Sequence, residues 1–324
     1  MSIVADFASR LHSASPASFS RNLTSISFPS REKSLTDIRA VIFDVYGTLL
    51  NYWRPEFDQP GGRDRALLGA FCETVAYFGF ADALTDMNPE ESPEKTIHDL
   101  YHGLITLNHE KSIEKGVTFP EVRIEEVWMV ILMMLRRHGF DSSRCHLGDD
   151  RDLAKCVAYY YNYQALGRQL YPGVADALVG LKEKNMVLGI VSNAQFYTPI
   201  DLTLLLRDQS GGRFDDYTEI FDPDLVVLSY EIGYSKPNPG IFRKLFDALY
   251  EFHILPSQTV FVGNDLLQDI SPAQEAGMKG AFFVGDDKSA FVHDAAQKVV
   301  PDVCFSSWDE LPRLLSFHAG ANGS

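Results

Sequence analysis

From Tyr171 onward the chain alternates helical patterns with short apolar runs, and few architectures accept that rhythm. Pro172-Gly173 opens a stretch with apolar residues at three- and four-residue intervals to about residue 184, and 187–192 is an apolar run. The order then repeats: helix around 202–207, run 225–229, helix 239–250, run 259–262, helix 271–276, run 281–284 and a last run 302–305. The runs are apolar on consecutive residues, so both faces of each strand need cover. That predicts the α/β class, a doubly wound parallel sheet with helices on both sides. One more strand precedes them, in Val41-Ile42-Phe43-Asp44-Val45-Tyr46-Gly47-Thr48-Leu49-Leu50. It ends in a single carboxylate followed by a Gly-Thr turn, and open α/β sheets hold their ligands at that edge. An Asp there can serve as nucleophile, metal ligand or both.

Between that strand and Tyr171 lies an insert, residues 53–168. Helical spacing is expected over 65–78, 94–109, 121–138 and 152–166, with Pro89, Pro93 and Pro120 as breakers between them. The domains expected are therefore an N-terminal arm (1–38), a core (39–52 with 169–315), a helical cap (53–168) and a flexible tail (316–324). In the arm, Ile3, Val4, Phe7 and Leu11 fall at helical spacing, which predicts a short amphipathic helix packed on its own domain. A partner-binding arm or transit peptide is the alternative, with Asp6 and Glu32 against the latter.

A net charge of −15 disfavours nucleic acid and anionic membranes as partners. The longest apolar stretch, around 128–135, is cut off by Arg136 and Arg137 and is too short to span a bilayer. No basic segment followed by an apolar block opens the chain, so no secretory signal is expected. Cys72, Cys145, Cys156 and Cys304 show no metal-site spacing, and the expectation is a reducing, cytoplasmic setting.

Four segments put polar residues directly after an apolar run or at a helix entry. They are Asp44-x-Tyr46-Gly47-Thr48, Val191-Ser192-Asn193-Ala194, Ser235-Lys236-Pro237-Asn238-Pro239 and Val262-Gly263-Asn264-Asp265-Leu266-Leu267-Gln268-Asp269. Each alone is a common turn or cap. In this order, with a helical insert after the first, the chain resembles the haloacid dehalogenase superfamily over about residues 40–315.

The resemblance implies a Rossmann-like core with the first and fourth motif strands side by side, and a cap that selects substrate. Asp44 would be a nucleophile forming a covalent aspartyl intermediate, and Thr48 would support the turn and that carboxylate. Ser192 and the amide of Asn193 would hold the transferring anionic group, and Lys236 would neutralise it together with Asp44. Asp265 and Asp269, with Asp44 and the carbonyl of Tyr46, would hold Mg²⁺. Tyr46, Gly47, Asn193 and Asn264 would line the substrate position. A carboxylate attacking an anionic phosphate needs both charges screened, which Mg²⁺ and an ammonium do in a dry cleft.

The chain departs from the family's phosphatases at two places. Their second Asp, two residues after the nucleophile, is Tyr46 here, and an ordinary phenol with a pKa of about 10 is a poor base at neutral pH. The commonest fourth motif has Asp directly after Gly, where this chain has Asn264. Tyr46 resembles the metal-free 2-haloacid dehalogenases, but their serine-rich fourth motif is absent, and Phe242 stands where they have Tyr. Their cap arginine could be Arg54, Arg63 or Arg65. Phosphonate-cleaving relatives use a cap lysine, and Lys95, Lys111, Lys115 and Lys155 have no distinctive context. The expected function is a Mg²⁺-dependent phosphatase acting on a small phosphorylated metabolite. A metal-free dehalogenase-like hydrolase and a catalytically silent binding protein stay open.

Elsewhere, His98 and His102 have the i, i+4 spacing of zinc ligands without a third donor, and a surface pair is the favoured reading. Tyr159, Tyr160, Tyr161 and Tyr163 suit cap packing, with one ring able to face substrate. Trp53 and Arg54 suit the hinge or the substrate equally. Asp149-Asp150-Arg151-Asp152 reads as a helix start.

Overall fold

The structure is a computed structural model describing residues 2–14, 22–293 and 298–316, and the chain divides into two compact units. The first, helical unit contains α1 (Ile3–Ala14) and residues 53–168, with α2 (Gly62–Phe78), α3 (Ala81–Met87), α4 (Pro93–Glu114), α5 (Ile124–Arg137) and α6 (Asp150–Ala165). The start of α6 is set by Asp149, whose carboxylate accepts the amides of Arg151 and Asp152. Helix α3 was not expected. Gly79 at φ 73° ends α2, and the chain restarts in a second helix before Pro89.

The tyrosine run forms the core of this unit. Tyr161 stacks on Phe71 and Tyr160 on Tyr77, each at 4.2 Å between ring centroids. Tyr101 and the fully buried Trp128 close around Tyr161. His98 and His102 lie against Phe71 with their rings 4.5 Å apart, and His98 Nδ1 meets Asp99. Arg54 is bonded to the Gln164 carbonyl and to Glu56, and Trp53 packs edge-on against Phe57. Helix α1 buries Val4, Phe7 and Ala8, with Phe7 meeting Phe78, Tyr159 and Tyr160. The stretch 1–38 is thus not one element. Residues 3–14 pack on the helical unit, while residues 26–35 run along the other unit, where Ile26, Arg31 and Glu32 donate to the carbonyls of Val284, Pro301 and Asp302.

The second unit is built on β1 (Ala40–Phe43), β4 (Val187–Ser192), β5 (Val226–Leu228), β6 (Thr259–Gly263), β7 (Lys279–Phe283) and β8 (Val303–Phe305). They form one parallel sheet in the order β5-β4-β1-β6-β7-β8. A two-residue antiparallel pair, β2 (Leu50–Asn51) with β3 (Gln169–Leu170), joins the points where the chain leaves this unit and returns. Its strands are too short to register as a pattern. Successive residues of β1 serve opposite faces. Val41 and Phe43 pack with α7 (Val174–Glu183) and α8 (Thr198–Gln209); Ala40 and Ile42 pack with α10 (Gly240–Glu251) and α11 (Ser271–Glu275). Short helices α9 (Ser229–Ile232) and α12 (Leu311–Leu314) complete the unit. Phe242 is part of this core, edge-on to Phe261. The expected tail, 316–324, lies outside the described residues beyond Ser316.

Candidate active site

All four residues of β1 are buried, so the first polar side chain of the run falls at the strand's carboxyl end. The backbone then turns at once. Gly47 sits at φ 85°, its amide donating to the Leu50 carbonyl, while the Leu50 amide returns to Val45. The register of β1 puts Phe43 opposite Ile190 on one side and Val262 on the other. Asp44 therefore emerges between the ends of β4 and β6, its amide bonded to the Val262 carbonyl at 2.9 Å.

Three of the four motifs meet on this carboxylate. Lys236 Nζ donates to Asp44 Oδ1 at 2.7 Å, and Ser192 Oγ donates to the same oxygen at 2.9 Å. Among the described residues Oδ2 has only the Thr48 hydroxyl, at 3.2 Å. Lys236 is 4 % exposed and also donates to Asp269 Oδ1 at 2.6 Å. The other Asp269 oxygen accepts the amides of Asn264 and Asp265 at 3.1 and 3.0 Å. That closure needs Gly263, since a Cβ there would lie 2.4 Å from Asp269. The fourth motif thus reaches Asp44 through Asp269 and Lys236, and also through Asn264, whose Oδ1 meets Thr48 Oγ1 at 2.9 Å.

Asn193 braces the site's edge. Its side chain accepts the Lys236 amide at 2.7 Å and donates to the Lys236 carbonyl and to Gln268. Tyr46 is half-buried, with its hydroxyl 2.9 Å from Thr198 Oγ1. After β6 the chain makes a single π-turn, Leu266–Ile270, capped by Asp265, whose Oδ1 accepts the amides of Leu267 and Gln268. His293 Nε2 stands 3.0 and 3.1 Å from the two Asp265 oxygens. Neither His293 nor the Ser289 carbonyl, which takes the Asn264 side-chain amide at 2.5 Å, belongs to any motif. Nothing in their spacing signals their place beside it.

Burial works against the Lys236 ammonium, but Asp269 and Asp44 outweigh it and hold its pKa above the ordinary value. Burial pushes the Asp269 carboxyl up; Lys236 opposes this, and the charges of Asp44 and Asp265 push the same way as burial. Among the described residues one ammonium thus serves two carboxylates, Asp44 and Asp269, with the Asp265 carboxylate beside them, which leaves the pocket short of positive charge.

That shortage, and the free oxygens, decide whether the residues suit Mg²⁺. Asp269 holds Lys236 with one oxygen and the amides of Asn264 and Asp265 with the other, and among the described residues no three His, Cys, Asp or Glu side chains group as a metal site. The Asp44 carboxylate, the Asp265 oxygen that faces His293 and the Tyr46 carbonyl are all hard oxygen donors. Mg²⁺ retains several waters and needs only one or two carboxylates, so this reduced set fits it.

A family model for haloacid dehalogenase-like hydrolases matches residues 38–277. The glyceraldehyde 3-phosphate phosphatase of Pyrococcus furiosus is 28% identical over 53% of this chain and 64% of its own length. The enzyme of the same name from Methanothermobacter thermautotrophicus is 31% identical over 52% of this chain and 68% of its own. The chain thus spans about two thirds of the curated relatives it matches. A 2-haloacid dehalogenase from Pseudomonas syringae pv. Tomato shares the fold, with a TM-score of 0.52 and 21% identity over 86% of this chain and 97% of that one. Matched across most of its length, with a parallel sheet of that architecture, the chain belongs to the haloacid dehalogenase-like hydrolases.

Proposed function

We propose that this hydrolase is a phosphatase of a small phosphorylated metabolite, using Asp44 as its nucleophile and Mg²⁺ held by Asp44, Asp265 and the Tyr46 carbonyl. The observation that carries this reading is the asymmetry of Asp44. One oxygen is clamped by Lys236 and Ser192, the other meets the Thr48 hydroxyl, and the residue is only 6 % exposed. The phosphatase names of relatives at 28–31% identity support the reaction class.

In this reading Asp44 Oδ2 attacks phosphorus. The P–O bond breaks with its electron pair to the leaving oxygen, which takes a proton from solvent; water then attacks the aspartyl phosphate, releasing phosphate and restoring the Asp44 carboxylate. Lys236 and Ser192 fix the carboxylate and offset charge on the transferring group. Bound Mg²⁺ supplies Lewis-acid screening between the two anions. Asp269 holds Lys236, and Asn193 holds the Lys236 backbone. The helical unit serves as the substrate-selecting cap. Among the described residues no single helix is long and apolar enough to cross a membrane. The four free thiols support a cytoplasmic setting.

A panel of phosphate esters assayed with and without Mg²⁺, beside an Asp44→Asn control, tests the reading. Turnover well above the control and lost on chelation is expected; equal rates in both proteins would refute it. Tyr46 favours a second reading, metal-free displacement of halide by the same Asp44, because halide leaves without a proton. Chloride release from 2-haloacids, insensitive to chelator, would establish that reading instead.

A further inference from the structure

Thr48 Oγ1 lies 2.9 Å from Asn264 Oδ1 and 3.2 Å from Asp44 Oδ2. Both oxygens are acceptors, and a hydroxyl has one proton to give. Thr48 can satisfy only one of them at a time. Turning the Asn264 amide over would end the competition, since its NH₂ could then donate to Thr48. The Ser289 carbonyl prevents this: it only accepts, and Asn264 Nδ2 is committed to it at 2.5 Å.

That carbonyl belongs to a rigid, buried unit. Tyr171 donates to Asp286 Oδ2 at 2.7 Å and lies 2.9 Å from Ser289 Oγ, which is 3.1 Å from the same Asp286 oxygen. All three residues are fully buried. Gly47 leaves Asn264 its space, as a Cβ there would come within 2.4 Å of Nδ2.

We infer that Asn264 is a positioning residue that draws the Thr48 proton away from Asp44, leaving Oδ2 unbonded as the attacking atom. An aspartate at this position would set its carboxylate against the Ser289 carbonyl with no proton between them. The amide at 264 is then a requirement of this chain's 286–289 segment. The inference rests on the nucleophile reading of Asp44 and adds to it the identity of the reacting oxygen and the group that keeps it free.

The test is a double-mutant cycle of Asn264→Ala and Thr48→Val, read both as the urea unfolding equilibrium and as the single-turnover rate on an aryl phosphate. Asn264→Ala returns the proton to Oδ2 and should slow the chemical step about tenfold or more with KM unchanged, the worth of a hydrogen bond to a charged group. In the Thr48→Val background, where no proton is shared, the same change should leave the rate unaltered; in Thr48→Ser, which keeps the hydroxyl, it should slow the rate again. Losses that multiply in the double variant, or an Asn264→Asp protein as fast as the wild type, would overturn the inference. Should the wild type turn over no phosphate ester faster than Asp44→Asn, the phosphatase reading fails, and the unfolding cycle alone decides the proton's place. Coupling there supports the Thr48–Asn264 bond, and additivity removes it.

Discussion

Lys236 is the residue on which the pocket's charge balance turns. Its ammonium is 2.7 Å from Asp44 and 2.6 Å from Asp269, with all three groups almost wholly buried. Removing one partner of a buried ion pair strands the other charge. Lys236→Met should therefore cost about 3–5 kcal/mol in urea unfolding and abolish turnover. Loss of turnover without loss of stability would mean that the two carboxylates are relieved in another way. Tyr46 carries a second prediction. With its hydroxyl against Thr198 and no carboxylic acid two residues after Asp44, leaving groups gain little help from a proton. Aryl phosphates should outpace primary alkyl phosphates by about 10²–10⁴-fold, the contribution usual for general acid catalysis. A flat dependence of rate on leaving-group acidity would place an acid elsewhere in the pocket. Asp44 and Ser192 could be placed because each ends an apolar run, while Thr48, Lys236 and Asp269 were reached through the resemblance that the four ordered motifs carry. The Ser289 carbonyl and His293 could not be, because a backbone acceptor and a loop imidazole leave no periodic trace.

At the scale of elements, the same distinction holds. Strands β1, β4 and β6 were legible because both of their faces are buried and the residues are apolar without interruption. The pair β2–β3, helix α3 and the π-turn were not, since two to seven residues cannot establish a period. The π-turn matters most of these. It lets Asp265 cap the turn while Asp269 folds back onto the amides of Asn264 and Asp265. Helix α1 was legible as amphipathic, but its docking on the helical unit depends on rings distant in sequence. Phe7 is the anchor, buried among Phe78, Tyr159 and Tyr160. Phe7→Ala should destabilise the helical unit by about 3 kcal/mol or more. Amide exchange in α1 should rise to that of a frayed terminus, and exchange unchanged from the wild type would show that α1 is held by something else.

For the whole molecule, the four cysteines report whether both units are packed as described. Burial raises the Cys156 thiol to about 12, with Asp152 adding and Arg10 opposing, and raises Cys304 to about 11. Cys145 is also raised by burial, whereas Cys72 is exposed. A thiolate is the reactive form, so iodoacetamide at pH 8 should modify Cys72 first and Cys156 only after unfolding, as peptide mass spectrometry would show. Early modification of Cys156 would contradict the packing of α6. In the proposed reading Asp44 attacks phosphorus and carries it as a covalent aspartyl phosphate. Quenching turnover with borohydride tests this most directly, because an aspartyl phosphate is reduced to the alcohol. Homoserine is expected at position 44 in the digested wild-type protein and none without substrate. Phosphate release with aspartate intact at 44 in every quenched sample would contradict it.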